Sequence, residues 1–573
     1  MNIKKKIIVF CIFLAISVWT TQTQTVLFVS GVQIVPSIYS SVERDWSSIS
    51  LLYPDQYHTP EELTEELHQI NNTAPEIIDF FSIGESFEGR KIYCLRVTNE
   101  QNKNPKAGTL IIAQHHAREQ ITMEVSLRFL HHLVNNYGTD DKITEYVDSQ
   151  EIFVIPSLNP DGLHYVVGNS TFPGDNWLRK NMRRIDDDGD GLFNEDPPDD
   201  TNGDGIVSEF SVYSKPANYW IPDYDYLEGT DDDGDGLVNE DPRGGVDLNR
   251  NYGYRWNDPT ITSGSGTDTT SETYPGTAPF SEPETLAFRG FMENRSFSTA
   301  ISLHSGINAT LFPWGSENYY AEYTLYNDLF YDIENILPTK YLSYGGLQHL
   351  GYKTAGEWGD WMYDAKECLV PMTFEIYHNT SSNDRVVEIY NTGTSKEERW
   401  DGIYGYFNPR EAYIDALWND IHPVFDYWLD ITPRLIINVE SISGSKNSGD
   451  TLEVMVSVEN LSPRLSTIND LKVVHPDLSS LLYQGSPVTI SKVKAQKTIG
   501  TSFYFELEAT LDPGENISFL LGNDYVGYTP IIIQEEQVQE VDQSTSYTFL
   551  TALLAIPVII TLKRINEKNR KEL

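Results

Sequence analysis

Cysteine is nearly absent from this 573-residue chain: there are three, and one of them, Cys11, lies in the apolar N-terminal run. The other two, Cys94 and Cys368, sit in strand-like surroundings and read as buried thiols, which leaves no disulfide framework to staple the fold. Basic charge is scarce as well. Lys and Arg number 41 against 84 Asp and Glu, a formal net charge of -43. With so little positive charge left to neutralise phosphates, the chain is not a nucleic-acid binder. What is present, 39% hydrophobic and 12% aromatic residues, suffices for packed cores, and the length calls for two or more domains.

Two long apolar runs stand near the ends. Lys4-Lys5-Lys6, the apolar run 7–19 and the polar stretch to Thr25 form the pattern of a signal peptide over 1–25. In the N-terminal segment 26–50 that follows, no element is legible. At the other end, a linker over 531–545 leads into an apolar run predicted as a membrane anchor over 546–562, followed by a basic tail over 563–573. The run approaches the ~20 residues that a membrane helix needs, and its basic flank places the tail in the cytoplasm. Sequons at Asn71, Asn169, Asn294, Asn308, Asn379, Asn460 and Asn516 are compatible with export. The expected location is the outer face of the cell membrane, with a removable sorting tail as the alternative.

Between these ends the pattern is regular. Thr59-Pro60-Glu61-Glu62 reads as a helix start with Thr59 as N-cap. Strands are predicted at 91–97, 109–114, 151–156, 299–303 and 370–376, and helices at 120–137, 319–336 and 409–429. This alternation predicts an α/β domain over 51–432 whose mixed β-sheet is flanked by helices. After Asp430-Ile431-Thr432-Pro433, short alternating strands with Gly, Pro and Asn turns predict an all-β sandwich over 433–530.

The α/β pattern is interrupted over 186–241 by an acidic insertion with an internal repeat. Asp186, Asp188, Asp190 and Glu195 recur in one copy as Asp231, Asp233, Asp235 and Glu240, and Asp200, Asn202, Asp204 and Glu209 form a looser third. Oxygen ligands at alternating positions around a sharp glycine turn suit Ca²⁺, although the glutamate falls two positions too early for an EF-hand. Without a cation so many carboxylates in one loop repel one another.

Gln114-His115-His116-Ala117-Arg118-Glu119 follows the apolar run 110–113 and opens a helix. His116 and Glu119, three positions apart at a strand-to-helix junction, can converge on one cation, and zinc suits an imidazole and a carboxylate. Alone, so short a motif more often marks an ordinary turn. Four further stretches supply the missing parts. His304, just after a buried strand, offers a third zinc ligand; Asp247 can orient a zinc-binding histidine through its second ring nitrogen, and Arg250 presents a fork for a carboxylate. Glu375, buried in an apolar strand, suits a general base near an activated water. The aromatic loop 352–361 carries Tyr352, whose phenol can close over a substrate.

The order His116-x-x-Glu119, Arg179, Asn249-Arg250, His304, Tyr352 and Glu375 resembles the M14 family of zinc metallocarboxypeptidases over about residues 50–430. The resemblance implies one zinc ion held by His116, Glu119 and His304, a catalytic base and proton shuttle at Glu375, and an Arg179 that polarises the scissile carbonyl. It also implies that Asn249, Arg250 and Tyr352 hold the C-terminal carboxylate of a peptide or protein, with Arg118 assisting. By the same likeness Gly359 occupies the floor of the pocket for the terminal side chain, where basic-specific relatives carry aspartate; Glu357 can line that pocket and attract a basic side chain without excluding apolar ones. Two alternatives stand beside this reading: an amidase of the same fold acting on peptidoglycan stem peptides or a deacylase of a small amino acid, and a calcium-dependent, non-catalytic binding protein on a cell surface. Oligomeric state is not legible.

Overall fold

The computed structural model describes residues 32–34 and most of 44–535, leaving out 103–105, 169–173, 215–223, 339–351, 379–386, 392–395, 402–405, 445–450, 468–470, 475–480, 483–488, 508–515, 524–526 and scattered positions within 188–208, 233–240 and 491–495. The expected signal peptide, membrane anchor and basic tail lie outside the described residues. Among the described residues, no helix is long and apolar enough to cross a membrane.

A seven-stranded sheet carries the α/β part: β1 (Ile78–Glu85), β2 (Lys91–Val97), β3 (Ala107–Ile112), β4 (Gln150–Ile155), β5 (Thr299–His304), β6 (Asn308–Leu311) and β7 (Val370–Ile376). Its spatial order is β1-β2-β4-β3-β5-β7-β6. The four central strands are mutually parallel and the outer ones antiparallel, so the sheet is mixed as expected. Helices are α1 (Pro60–Thr73), α2 (Gln120–Asn136), α3 (Asp141–Ser149), α4 (Pro160–Val167), α5 (Pro283–Phe291), α6 (Tyr323–Ile336), α7 (Trp358–Asp364) and α8 (Ile414–Ile431). Both faces of the sheet are covered. Ile111, Val154 and Leu303 pack with α2 and α8 on one side, whereas Leu110, Phe153 and Ala300 pack with Phe288 of α5 and Trp361 of α7 on the other. Double burial explains why the central strands read as continuous apolar runs.

The helix start at Thr59 is realised as a full capping box, with the Thr59 hydroxyl accepting from Glu62 N and the Glu62 carboxylate accepting from Thr59 N. The last helix starts later than expected: a short turn at Glu411–Tyr413 precedes it and α8 begins at Ile414. Pro409 instead lends its carbonyl to the Tyr57 hydroxyl. Cys94 and Cys368 are free and buried. The segment 26–50 does contain an element, a correction to the sequence reading: Val32–Ile34 runs antiparallel to the strand Gly527–Glu535. It thereby joins a five-stranded antiparallel sheet, and Leu435–Gly444, Thr451–Asn460 and Lys497–Leu507 belong to a second, four-stranded one. Three residues are too few for a periodicity signal, and their partner lies almost the whole chain away.

The acidic insertion is tied to the segment that follows β7. Its strands Glu209–Ser214 and Tyr224–Leu227 form one sheet with Val387–Asn391 and Lys396–Asp401, the hairpin that follows β7.

Under α1 and α2 lies a fully buried ionic cluster. His58 Nδ1 is 2.8 Å from Glu124, His131 Nε2 is 2.7 Å from Glu66, and Arg128 pairs with Glu124 at 3.1 Å; the ring edge of Tyr53 also faces His58. Burial opposes the charge on His58, but the bond to Glu124 and the nearby Glu66 carboxylate, 3.6 Å from Nε2, outweigh it and push its pKa up from 6.5 to about 9. Burial likewise opposes the charge on Glu66, and His131 and His58 bring it down from 4.5 to about 2. Stability from His58 is therefore complete below pH 6.5 and is lost as pH rises through 9. That from Glu66 is present above pH 4.5 and is lost as pH falls toward 2. The unfolding temperature of the wild type is expected to fall more steeply from pH 6.5 to 9 than that of His58→Gln; parallel curves would contradict this.

Candidate active site

The site gathers at the C-terminal edge of the parallel strands, where open α/β sheets present ligands. At the end of β3, Gln114 turns the chain with φ of 54°. A non-glycine residue pays about 1–2 kcal/mol for this left-handed conformation. It is held by Gln114 N donating to Thr122 Oγ1 and Gln114 Nε2 donating to the Ala117 carbonyl. The turn brings His116 and Glu119 to the head of α2. His304 ends the neighbouring strand β5, and the parallel register places Glu375 of β7 directly beside it.

His116 Nδ1 lies 2.7 Å from Glu119 Oε1, and His304 Nδ1 lies 3.0 Å from Glu119 Oε2 and 3.2 Å from His116 Nδ1. All three residues are buried, and one ligand atom from each falls within 4.8 Å of the others. Two facing ring nitrogens and a carboxylate in a buried cluster favour a positive charge at their centre, and the N,N,O donor set fits zinc. His116 Nε2 is 3.1 Å from Asp247 Oδ1, a carboxylate to which it donates, and this leaves its Nδ1 to ligate. His304 Nε2 is 3.0 Å from Ser302 Oγ, so it is again Nδ1 that faces the cluster. Burial opposes the charge on Asp247, but Arg179, His116 and Arg250 hold its carboxyl well below the usual range. Burial, chiefly, lowers the pKa of His304. His115 is a neighbour and not a ligand: it stacks on His304 with ring centroids 5.4 Å apart and bonds to Tyr252 at 2.8 Å.

Arg179 donates from Nε and Nη2 to Asp247 Oδ2, at 3.1 and 2.8 Å. Glu375 carries a buried Oε2 with no hydrogen-bond partner among the described residues. Burial and the charge of Glu119 raise its pKa well above the ordinary value, while Arg179 and Arg250 pull it back. Asn249 accepts from Trp358 N at 3.0 Å, its Nδ2 is 3.4 Å from His304 Nε2, and buried Arg250 donates to the Asn249 carbonyl at 2.7 Å. Arg118 lies 4.4 Å over the Phe407 ring and pairs with Glu272 at 3.0 Å. Leu227 of the insertion packs on the same Trp177–Phe407 cluster.

Glu357 caps α7, accepting from Asp360 N at 3.1 Å and from Thr373 Oγ1 at 3.3 Å. A Cβ on Gly359 would stand 3.1 Å from Glu357 Oε2, so this carboxylate borders the space that a side chain at 359 would fill. Tyr352, expected to hold the substrate, lies at the surface, 48% exposed.

In the insertion, the paired copies are joined reciprocally, which the repeat alone did not reveal. Asp196 accepts from Asp232 N and Asn239 N, and Asp241 accepts from the equivalent Asp187 N and Asn194 N. Asp186 and Asp231 each cap the glycine turn of their own loop. Asp190 and Asp235 accept from Leu192 N and Leu237 N, and Asp200 from Gly203 N. Glu209 opens a strand; Asp188, Glu195, Asn202, Asp204, Asp233 and Glu240 lie outside the described residues. The sequence reading missed Asp196 and Asp241, whose signal was their identical place in the two copies.

Several known proteins are similar to this chain. Carboxypeptidase A5 of Macaca fascicularis is 26% identical over 330 residues, 56% of this chain and 60% of that protein. A zinc carboxypeptidase of Saccharothrix mutabilis subsp. capreolus is 33% identical over 117 residues, 20% of this chain and 27% of that one. The chain thus spans less than two thirds of either relative. The crystal structure of thrombin activatable fibrinolysis inhibitor aligns with 67% of this chain and 76% of its own, at 20% identity and a TM-score of 0.47. The profile described as zinc carboxypeptidase matches residues 63–421, well over half of the 573 residues, and the chain belongs to that family.

Proposed function

We propose that the protein is a zinc metallocarboxypeptidase that removes the C-terminal residue of peptides or proteins. The observation that carries this reading is the buried His116–Glu119–His304 cluster with Glu375 in register beside His304. Zinc held by these three residues lowers the pKa of a water and polarises a carbonyl oxygen. Glu375 takes the proton of the attacking water and returns it to the leaving amine, a role suited to a carboxylate whose basicity is raised by burial. Arg179, steadied by Asp247, stabilises the developing oxyanion. Asn249 and Arg250 hold the substrate's terminal carboxylate, Arg118 contacts the chain upstream, and Tyr352 closes from its exposed position.

The pocket is proposed to be mixed in preference. Burial raises the pKa of Glu357, which tolerates an apolar side chain while the carboxyl is neutral and favours a cationic one that ionises it. Incubating the zinc-loaded protein with a peptide mixture and reading the products by mass spectrometry tests both points. Single residues are expected to leave free C-termini and not amidated ones. Glu357→Ala is expected to lower kcat/KM for Lys- and Arg-ended peptides about tenfold relative to Leu- and Phe-ended ones, about 1.4 kcal/mol. Cleavage of amidated ends or of stem peptides alone favours the amidase, and no cleavage favours the binding protein.

We also propose that the acidic copies bind calcium. The supporting observation is Asp187, whose two carboxylate oxygens are buried with no donor among the described residues. Calcium added to the dialysed, zinc-saturated protein is expected to stabilise it by about 2.7 kcal/mol at a hundredfold excess over Kd. An unfolding temperature indifferent to calcium would count against the site.

A further inference from the structure

Arg179 and Asp247 stand on separate segments, 177–183 and 244–251, that belong to no strand of the main sheet. Something must fix their register, because the pair meets across only two hydrogen bonds. On one side, Ala117 N, inside the metal-binding turn, donates to the Arg179 carbonyl at 3.0 Å. On the other side the backbone bonds between the two segments run through Asn181. Its backbone N donates to the Val246 carbonyl at 3.0 Å and its carbonyl accepts from Gly245 N at 2.8 Å. Its side-chain Oδ1 accepts from Val246 N at 3.0 Å. The approach is so close that a Cβ on Gly245 would fall 2.6 Å from the Arg183 carbonyl oxygen.

The same side chain reaches a third element. Asn181 Nδ2 donates to Glu282 Oε2 at 2.8 Å and to Glu284 Oε2 at 3.1 Å, at the head of α5. All three side chains belong to fully buried residues. Glu282 is further held by Arg183 Nε at 2.8 Å, and Glu284 Oε1 accepts from Phe87 N at 3.0 Å. Two carboxylates and a backbone N–H thus fix which way the amide faces, and none of these groups reaches the metal cluster.

We propose that Asn181 is a positioning residue: clamped by Glu282 and Glu284, its amide sets the register of the Arg179 and Asp247 segments and so aims Arg179 at the reacting carbonyl. The proposal rests on the carboxypeptidase reading for its kinetic readout only. A misplacement of about 1 Å at such a group is worth about a hundredfold in rate, whereas the carboxylate anchor Arg250, although on the same segment as Asp247, is also held from outside it by Ser263 Oγ at 3.3 Å. The loss therefore falls on kcat and not on KM.

A donor–acceptor exchange tests it. Asn181→Asp sets a third carboxylate against Glu282 and Glu284. It is expected to lower kcat about a hundredfold with KM within about threefold, and to speed amide exchange at Gly245 and Val246. Adding Glu284→Gln restores a donor opposite the new acceptor while its carbonyl still accepts from Phe87 N. Burial already raises Glu284 to about 7, so the neutral amide is a fair replacement. The double variant is expected to regain kcat to within about fivefold of wild type and to recover the slow exchange at Gly245 and Val246. Should the single variant not fold, Asn181→Ser, which drops the Nδ2 donors without adding charge, is read in its place. Wild-type kcat in the single variant, or a folded double variant no better than the single, overturns the proposal. An inactive wild type would overturn the carboxypeptidase reading instead, and amide exchange would then still decide the clamp.

Discussion

Glu375→Gln is expected to lower kcat by about 10²–10⁴-fold, the range that a positioned general base contributes, while KM stays within about threefold and the zinc content is unchanged. Glutamine keeps the size of the side chain and its place in β7 beside His304, so the substrate's fit is preserved. Proton affinity is what it lacks. In the wild type, burial and the Glu119 charge raise the basicity of this carboxyl, and Arg179 and Arg250 temper it. Its Oε2 has no hydrogen-bond partner among the described residues, a state that a merely structural carboxylate in an apolar strand would not sustain. Steady-state kinetics on a blocked dipeptide, with metal content measured on the same sample, checks this. A variant within tenfold of wild-type kcat would remove Glu375 from the reaction.

Loss of the metal should be the other large effect. His304→Ala is expected to bring bound zinc from about one per chain to near none and to lower kcat by at least about 10³-fold, since polarisation by the ion is worth several kcal/mol and 1.36 kcal/mol is tenfold. The cluster cannot compensate, because Glu119 would keep one imidazole, His116, and these two remaining donors stand on a single turn. Stripping zinc from the wild type should also destabilise it, by about 4 kcal/mol when free zinc had stood at a thousandfold over Kd. Metal analysis and thermal unfolding with and without a chelator measure both. Full zinc occupancy in His304→Ala would mean that the ion sits elsewhere.

The parts legible in the sequence were those that chemistry fixes within a turn or a strand. His116 and Glu119 share one strand-to-helix junction, so their convergence follows from a spacing of three residues. The capping box at Thr59 is equally local. Central strands buried on both faces announce themselves as apolar runs, and the strands 91–97 and 370–376 needed no correction. Elements without such a signature went unseen: the strand Val32–Ile34 is short, and β1, with only two of its positions closely packed against the main core, alternates weakly.

By itself the sequence determined the composition of the site, because a metal cluster, a base and a carboxylate fork each demand particular side chains. Only the tertiary structure decided which of them meet. Any histidine after a buried strand reads like His304; what makes it a ligand is the parallel pairing of β3 with β5, which carries it to the turn holding His116. The same pairing rule, one strand further on, brings Glu375 beside it. Asn181 carried no signal at all, since its meaning lies in Val246, Glu282 and Glu284, residues far along the chain. Long-range hydrogen bonds are chosen by how strands and loops pack, and no local spacing records that choice.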